Sequence, residues 1–182
     1  TQTFTKYSGT DDKTNPMVDT GIVLHVTENI RADVDGAGED LLSLYEASID
    51  NTSSAVARKE AQDKLVLSLR STIVLNQVTS GTGRGSQPVA VKGESGVGEN
   101  WVIDYTKVTV TRKDSGIDIT FPAEALQLEN GSTYYFTASN LTDASAAQNP
   151  IVPNPVDFYT NADVGIAGGH DLRLFTIMLG QL

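Results

Sequence analysis

The stretch VTVTRKDSGIDITF, residues 108–121, predicts a β-hairpin. In its second half, the apolar residues Ile117, Ile119 and Phe121 alternate with polar ones, as in a strand with one buried face. The central KDSG favours a turn, because Asp, Ser and Gly adopt turn conformations readily. Upstream of the hairpin the alternation changes parity, and we expect a β-bulge near Thr106.

Short alternating runs recur along the rest of the chain and predict further strands. They lie at residues 2–7, 21–28, 65–78, 88–91, 133–139 and 171–182. Apolar residues at helical spacing predict a short helix over 40–50, and a second helix is expected over 53–64. Many short strands with short connections are typical of all-β domains. The expected fold is all-β: a single antiparallel β-sandwich, jelly-roll-like, spanning residues 1–182 with one or two short helices inserted.

The charge of the chain limits the classes of partner that it could bind. It carries 13 Lys and Arg against 23 Asp and Glu, a formal net charge of −10. We expect no nucleic-acid partner, because phosphate binding depends on clustered basic residues. No apolar run approaches the ~20 residues of a membrane-spanning helix, so we expect no membrane insertion either.

The chain begins at Thr1 and contains no Cys. A first residue other than Met suggests that a leader was removed, and signal-peptide cleavage is the commonest way; a trimmed chain is the alternative. The expected location is extracellular or at the cell surface. Without Cys there are no disulfides, thiol nucleophiles or zinc–thiolate sites. Sequons at Asn51, Asn130 and Asn140 are compatible with glycosylation.

Neither histidine belongs to a catalytic motif. His25 falls in an apolar alternating run, where a packing role is expected ahead of a ligand role, and His170 follows two glycines. The sequence GESG at 93–96 lacks the spacing of a nucleophile elbow, and the Gly-rich loops match neither phosphate-binding pattern. We therefore expect no enzyme activity and no small-molecule substrate.

The acidic loop DVDGAGED, residues 33–40, is a candidate calcium site. Its carboxylates are Asp33, Asp35, Glu39 and Asp40. Glycines let such a loop fold back so that carboxylate and carbonyl oxygens converge on Ca²⁺, which takes 6–8 of them. The alternative is a solvated turn whose acids favour the N-terminus of the following helix. Both interpretations are open at this point.

The two chain ends are candidate assembly segments. The C-terminal DLRLFTIMLGQL, residues 171–182, has apolar residues on both faces, including Phe175, Ile177 and Leu179. A strand of this kind needs cover on both sides. The cover could come from a central position in its own sheet, from the helix near 40–49, or from a strand of another copy.

The N-terminal TQTFTKYSGT, residues 1–10, suits a donor strand. It is short and β-prone, carries Phe4 and Tyr7, and is followed by a polar loop. We therefore predict an exchangeable N-terminal arm. Exchange of such an arm between identical copies is a heterologous contact, which propagates into an open polymer.

The chain resembles the cannula-forming proteins, archaeal subunits of extracellular tubes. The resemblance rests on the Thr-first end, the Cys-free acidic β-rich chain of this size, and the tail FYTNADVGIAGGHDLRLFTIMLGQL, residues 158–182. More general donor-strand filament subunits are similar too. The resemblance implies a jelly-roll-like sandwich, assembly by donor strands and calcium at contacts between subunits.

The expected function is that of a secreted structural subunit that forms an extracellular filament or tube with copies of itself by strand exchange. One alternative is a surface adhesin or carbohydrate-binding sandwich whose loops carry Trp101, Tyr134 and Tyr135. These aromatic residues also suit core and cross-strand packing, which we expect instead. A virion coat or decoration protein is the other alternative.

Overall fold

Strands dominate the fold. The computed structural model describes residues 2–5, 22–79, 85–97, 102–128, 133–149 and 175–177, with the backbone alone for the two terminal segments. Within this part of the chain the strands are β1 Gln2–Thr5, β2 Ile22–Val26, β3 Ile30–Ala32, β4 Ile73–Thr79, β5 Gly85–Pro88, β6 Ala90–Val91, β7 Val102–Ile103, β8 Thr109–Lys113, β9 Gly116–Phe121, β10 Leu126–Gln127, β11 Thr133–Ala138, β12 Leu141–Asp143 and β13 Phe175–Ile177. The helices are α1 Leu41–Ile49 and α2 Ala55–Thr72, with 3₁₀ turns at Tyr105–Lys107 and Ala123–Ala125.

The described strands form four sheets. Two are four-stranded, in the orders β1-β11-β4-β5 and β13-β2-β9-β8, and the others have the orders β10-β7-β6 and β12-β3. Most neighbours are antiparallel, whereas β13 runs parallel to β2 and β6 runs parallel to β7. The prediction of a mainly β fold is confirmed. The arrangement of these sheets as one sandwich stays a prediction.

The predicted hairpin is present as β8 and β9. Thr109 pairs with Thr120 and Lys113 with Gly116, which leaves Asp114 and Ser115 as the turn. Asp114 has a φ of 52°, a left-handed conformation that Asp tolerates. The predicted bulge near Thr106 is wrong. The 3₁₀ turn at this position changes the parity instead, because Asp104 accepts a hydrogen bond from the Thr106 amide at 3.1 Å.

The first helix lies where it was expected, but the second is longer than predicted. The strand predicted over residues 65–78 is wrong in its first half, because α2 continues to Thr72 and β4 begins at Ile73. Leu65 and Leu69 are both buried, one helical turn apart. The Thr72 hydroxyl donates to the Ser68 carbonyl at 2.6 Å, a hydrogen bond typical of helices. Leucines at every second position also fit a strand, so the alternation alone was ambiguous.

Helices and sheets share one hydrophobic core. Buried residues of α1, α2 and both four-stranded sheets form a single cluster that runs in sequence from Ile22 to Leu141. Its aromatic centre is Phe121, with ring centroids 6.1 Å from Tyr105 and 5.0 Å from Phe136. The Tyr105 hydroxyl donates to the Ile73 carbonyl at 2.6 Å, and burial raises the pKa of this phenol. The hairpin is thereby joined to β11 and β4 through the core.

Candidate assembly site

The N-terminal strand is an edge strand of the first four-stranded sheet. It pairs antiparallel with β11, from Gln2 opposite Phe136 to Thr5 opposite Thr133. A sheet edge presents unpaired backbone donors and acceptors, so this pairing closes an edge that would otherwise be a template for another strand. The predicted assembly residue Phe4 lies in this strand, opposite Tyr134. Tyr7 lies outside the described residues.

The acceptor strand β11 is anchored in the body of the protein. Tyr134 is only 1 % exposed, and Phe136 packs on Phe121 in the core. On the side away from β1, the Asn76 amide donates to the Thr137 hydroxyl at 3.1 Å. An acceptor fixed in this way presents a preformed edge, which lowers the entropy cost of binding an extended segment.

The aromatic residues of β11 contribute to packing. Tyr134 is part of the core, and the Tyr135 hydroxyl is hydrogen-bonded to Ser86 of β5. The expectation of core packing is therefore confirmed for Tyr134, which is too deeply buried to belong to a ligand-binding surface. For Tyr135 it stays a prediction. Trp101 lies outside the described residues.

The C-terminal strand β13 is the edge strand of the second four-stranded sheet, as β1 is of the first. It pairs parallel with β2, with Phe175 opposite Leu24 and Ile177 opposite Val26. In the described sheet β13 is at the edge, which differs from the central position considered from its sequence. Its neighbour β2 is anchored in the core, since Leu24 and Val26 are buried. The third predicted assembly residue of this end, Leu179, lies outside the described residues.

A histidine–carboxylate pair lies beside the C-terminal edge. His25 Nδ1 is 2.7 Å from Asp118 Oδ1, and the two side chains are 16 % and 21 % exposed. The register explains the contact, because His25 lies directly opposite Asp118 on β9 and opposite Thr176 on β13. The role of Asp118 was not predicted from the sequence. Its partner depends on the pairing of β2 with β9, which alternation within one strand does not specify. His170 lies outside the described residues.

The acidic loop does not gather its carboxylates into a metal site. Asp33, Asp35 and Glu39 are exposed. Asp40 caps α1: its Oδ1 accepts from the Ser43 amide at 2.8 Å and from the Asn29 side chain at 2.7 Å. Burial opposes ionisation of this carboxyl, but these hydrogen bonds outweigh it and hold the pKa of Asp40 below its ordinary value.

The carboxylates of the loop, as placed, are not assembled as a calcium site. In the described part of the chain, no three side chains of the types that bind metals come together. Asp40 instead has the alternative role that was predicted for the loop, because it caps the N-terminus of α1. Calcium binding by Asp33, Asp35, Glu39 and Asp40 stays a prediction, and no step of the proposal below depends on it.

Within the described residues, neither helix has both the length and the apolar content needed to cross a bilayer. No protein-family model, curated protein or solved structure matches the chain.

Proposed function

We propose that the chain is a secreted structural subunit that forms an extracellular filament or tube with copies of itself by β-strand exchange. One observation carries the proposal: each chain end supplies an edge strand to a different four-stranded sheet, next to a strand anchored in the core. In this proposal the ends pair with other copies, and the segment between them is the folded body. The proposal includes no catalytic step.

The geometry of the β1–β11 pair supports exchange between identical copies, because the same pairing can form within one copy or between two. If β1 leaves and the same strand of another copy replaces it, the four-residue ladder with β11 is lost once and formed once. The pairing free energy then cancels, and the balance depends on the connecting segment and the concentration of subunits.

The connecting segment is long enough for such an exchange. Residues 6–21 separate β1 from β2, and sixteen residues span at most about 50–60 Å when extended. A domain of this length has a radius of gyration of about 16 Å. The N-terminal strand could therefore reach β11 of an adjacent copy. Each copy would then donate at one place and accept at another, which gives an open polymer.

Single cysteines test the exchange directly, because the chain has no Cys of its own. Thr5 and Thr133 lie opposite each other in the β1–β11 pair, a spacing that a disulfide can bridge. Chains carrying only Thr5→Cys are mixed with chains carrying only Thr133→Cys, refolded together and oxidised. We expect a disulfide-linked dimer on a non-reducing gel.

The hairpin provides the matched control. Thr109 and Thr120 also lie opposite each other. A mixture of chains with Thr109→Cys and chains with Thr120→Cys should give no disulfide-linked dimer on the gel. The chain that carries both Thr5→Cys and Thr133→Cys shows whether the disulfide can form within one copy. Efficient cross-linking inside this double variant, with no dimer from the mixed single variants, would contradict the proposal. Electron microscopy adds a second readout: wild type should form filaments or tubes, and deletion of residues 1–10 should abolish them while the body stays folded.

A further inference from the structure

Arg31 and Thr142 lie opposite each other in the β3–β12 ribbon. The ladder is fixed on both sides, because the Asp33 amide donates to the Asn140 carbonyl at 2.8 Å and the Ala144 amide donates to the Asn29 carbonyl at 3.0 Å. Residues directly opposite each other in an antiparallel pair share one face of the ribbon. The guanidinium and the hydroxyl are therefore presented together, on the face opposite to core residues of the same two strands.

Both side chains hold a buried polar atom without a hydrogen bond. Arg31 Nε and Thr142 Oγ1 are the two such atoms among the described residues, and Thr142 is 7 % exposed. Other buried hydroxyls of the described chain are paired: Thr72 donates to Ser68 and Ser68 donates to Lys64. A buried donor without an acceptor costs free energy, so two of them on one face point to an acceptor that binds between them.

The unpaired guanidinium of Arg31 is unexpected in a chain with an excess of acidic residues. Acidic residues outnumber basic ones 23 to 13, yet no described carboxylate lies within ion-pair distance of Arg31. Asp33, two positions further along the chain, is exposed, and Asp40 is hydrogen-bonded to Asn29 and Ser43. The nearby acids in the described chain thus leave Arg31 without a counter-ion.

We propose that Arg31 and Thr142 form a binding site for a carboxylate. A guanidinium N–H and a hydroxyl are both donors, and the planar guanidinium matches the two oxygens of a carboxylate. The carboxylate is either a side chain of a second copy or a free small acid. With the first source, the site is part of the contact between copies and rests on the proposed function. With the second, it is independent of assembly.

Acetate is the probe for the binding step. The ¹⁵N–¹H resonance of Arg31 Nε is followed in the unassembled full-length chain during titration with sodium acetate, against sodium chloride at equal ionic strength. We expect a saturable shift with acetate alone, and loss of acetate-induced stabilisation in Arg31→Lys. Absence of a saturable shift up to about 0.1 M acetate, where a millimolar site would be filled, would overturn the proposal.

Thr142→Val distinguishes a ligand site from a structural role. Valine removes the unpaired hydroxyl at nearly the same volume, so the free subunit should be as stable as wild type or more stable. Its acetate affinity should fall roughly five- to tenfold, the effect of one hydrogen bond. In the control Thr72→Val, a paired hydroxyl is lost: stability should fall and acetate affinity should stay unchanged. The same result for both variants would contradict a ligand role for Thr142.

Assembly distinguishes the two sources of carboxylate. If a second copy provides it, acetate should slow polymer formation by wild type, and Arg31→Lys should assemble more slowly without further inhibition by acetate. If a free acid provides it, acetate should bind without any effect on assembly. The titration uses the unassembled chain, so a failure of strand exchange does not affect its outcome.

Discussion

The β8–β9 hairpin and the β1–β11 edge are both antiparallel pairs, but their partners are separated by very different lengths of chain. A two-residue turn joins β8 to β9, whereas β1 is the first described strand and β11 comes after both helices. Closing a short turn costs little entropy, and closing a long loop costs more. The hairpin is therefore expected to pair within its own chain, while the edge can accept the same strand from another copy.

The largest expected effect comes from Phe121→Ala, because this residue connects the hairpin to the acceptor strand. Phe121 is fully buried and packs on both Tyr105 and Phe136. We expect a loss of about 3–5 kcal/mol in the free energy of unfolding, measured with urea. Thr111→Ala, at an exposed position of β8, should change it by less than about 0.5 kcal/mol.

Deletion of residues 1–10 gives the other side of that comparison. The truncated chain should unfold at a urea midpoint much closer to wild type than that of Phe121→Ala, because it loses one four-residue ladder at a sheet edge. An equal loss in both would show that the edge belongs to the folded body, and would break the distinction between the two regions.

A somewhat smaller effect is expected where the hairpin turn approaches β2. A Cβ at Gly116 would lie 1.8 Å from the Val26 carbonyl oxygen and 2.5 Å from the Thr27 carbonyl carbon. Both neighbours are backbone atoms, so Gly116→Ala should cost about 3 kcal/mol, the upper part of the overpacking range. Gly93→Ala is the control, since a Cβ there meets no atom within 4 Å but φ is 88°, and strain alone should cost about 1–2 kcal/mol. Equal losses of stability in Gly116→Ala and Gly93→Ala would mean that the hairpin backbone moves away from Val26 and Thr27 at little cost in free energy.

Asp40 tests another locally determined element, the start of α1. Asp40→Ala should cost about 0.5–2 kcal/mol, the usual effect of losing an N-cap. The pKa of Asp40 is lower in the folded chain than in the unfolded one. Its carboxylate therefore contributes fully to stability at a pH above its unfolded pKa, and this contribution is lost as pH falls through its folded pKa. The difference from wild type should therefore shrink in acid denaturation scans below about pH 4.

Ser54→Ala is the matched control, because Ser54 caps α2 through a neutral hydroxyl that accepts from the Ala57 amide at 3.1 Å. Its cost should be of similar size and should not depend on pH. A pH-independent difference for Asp40→Ala would contradict the role given to the carboxylate.

Calcium should have the smallest effect. If Asp33, Asp35, Glu39 and Asp40 bind the ion, free calcium equal to its dissociation constant adds about 0.4 kcal/mol to the stability of the subunit. Calorimetric titration of wild type and Asp33→Asn measures it. Identical heats at millimolar calcium would exclude this loop. Binding that appears only in the polymer would place the site at a contact between copies.

Local patterns predicted much of the fold correctly. Alternation located β2, β9 and β11, and helical spacing located α1. The second half of α2 was missed, because Leu65 and Leu69 satisfy both a strand and a helix pattern. The contact of Asp118 with His25 and the placement of Arg31 opposite Thr142 could not be predicted, since each depends on which strands become neighbours.

The sequence by itself determined the elements whose signals lie within a few residues of each other: the Asp114–Ser115 turn of the hairpin, and the Asp40 and Ser54 caps that begin the helices. Only the tertiary structure decided that each chain end lies at the edge of a different sheet. The physical reason is range. Turns and caps depend on adjacent backbone groups, whereas an edge position depends on the packing of strands far apart in the chain, for which a local pattern carries no information.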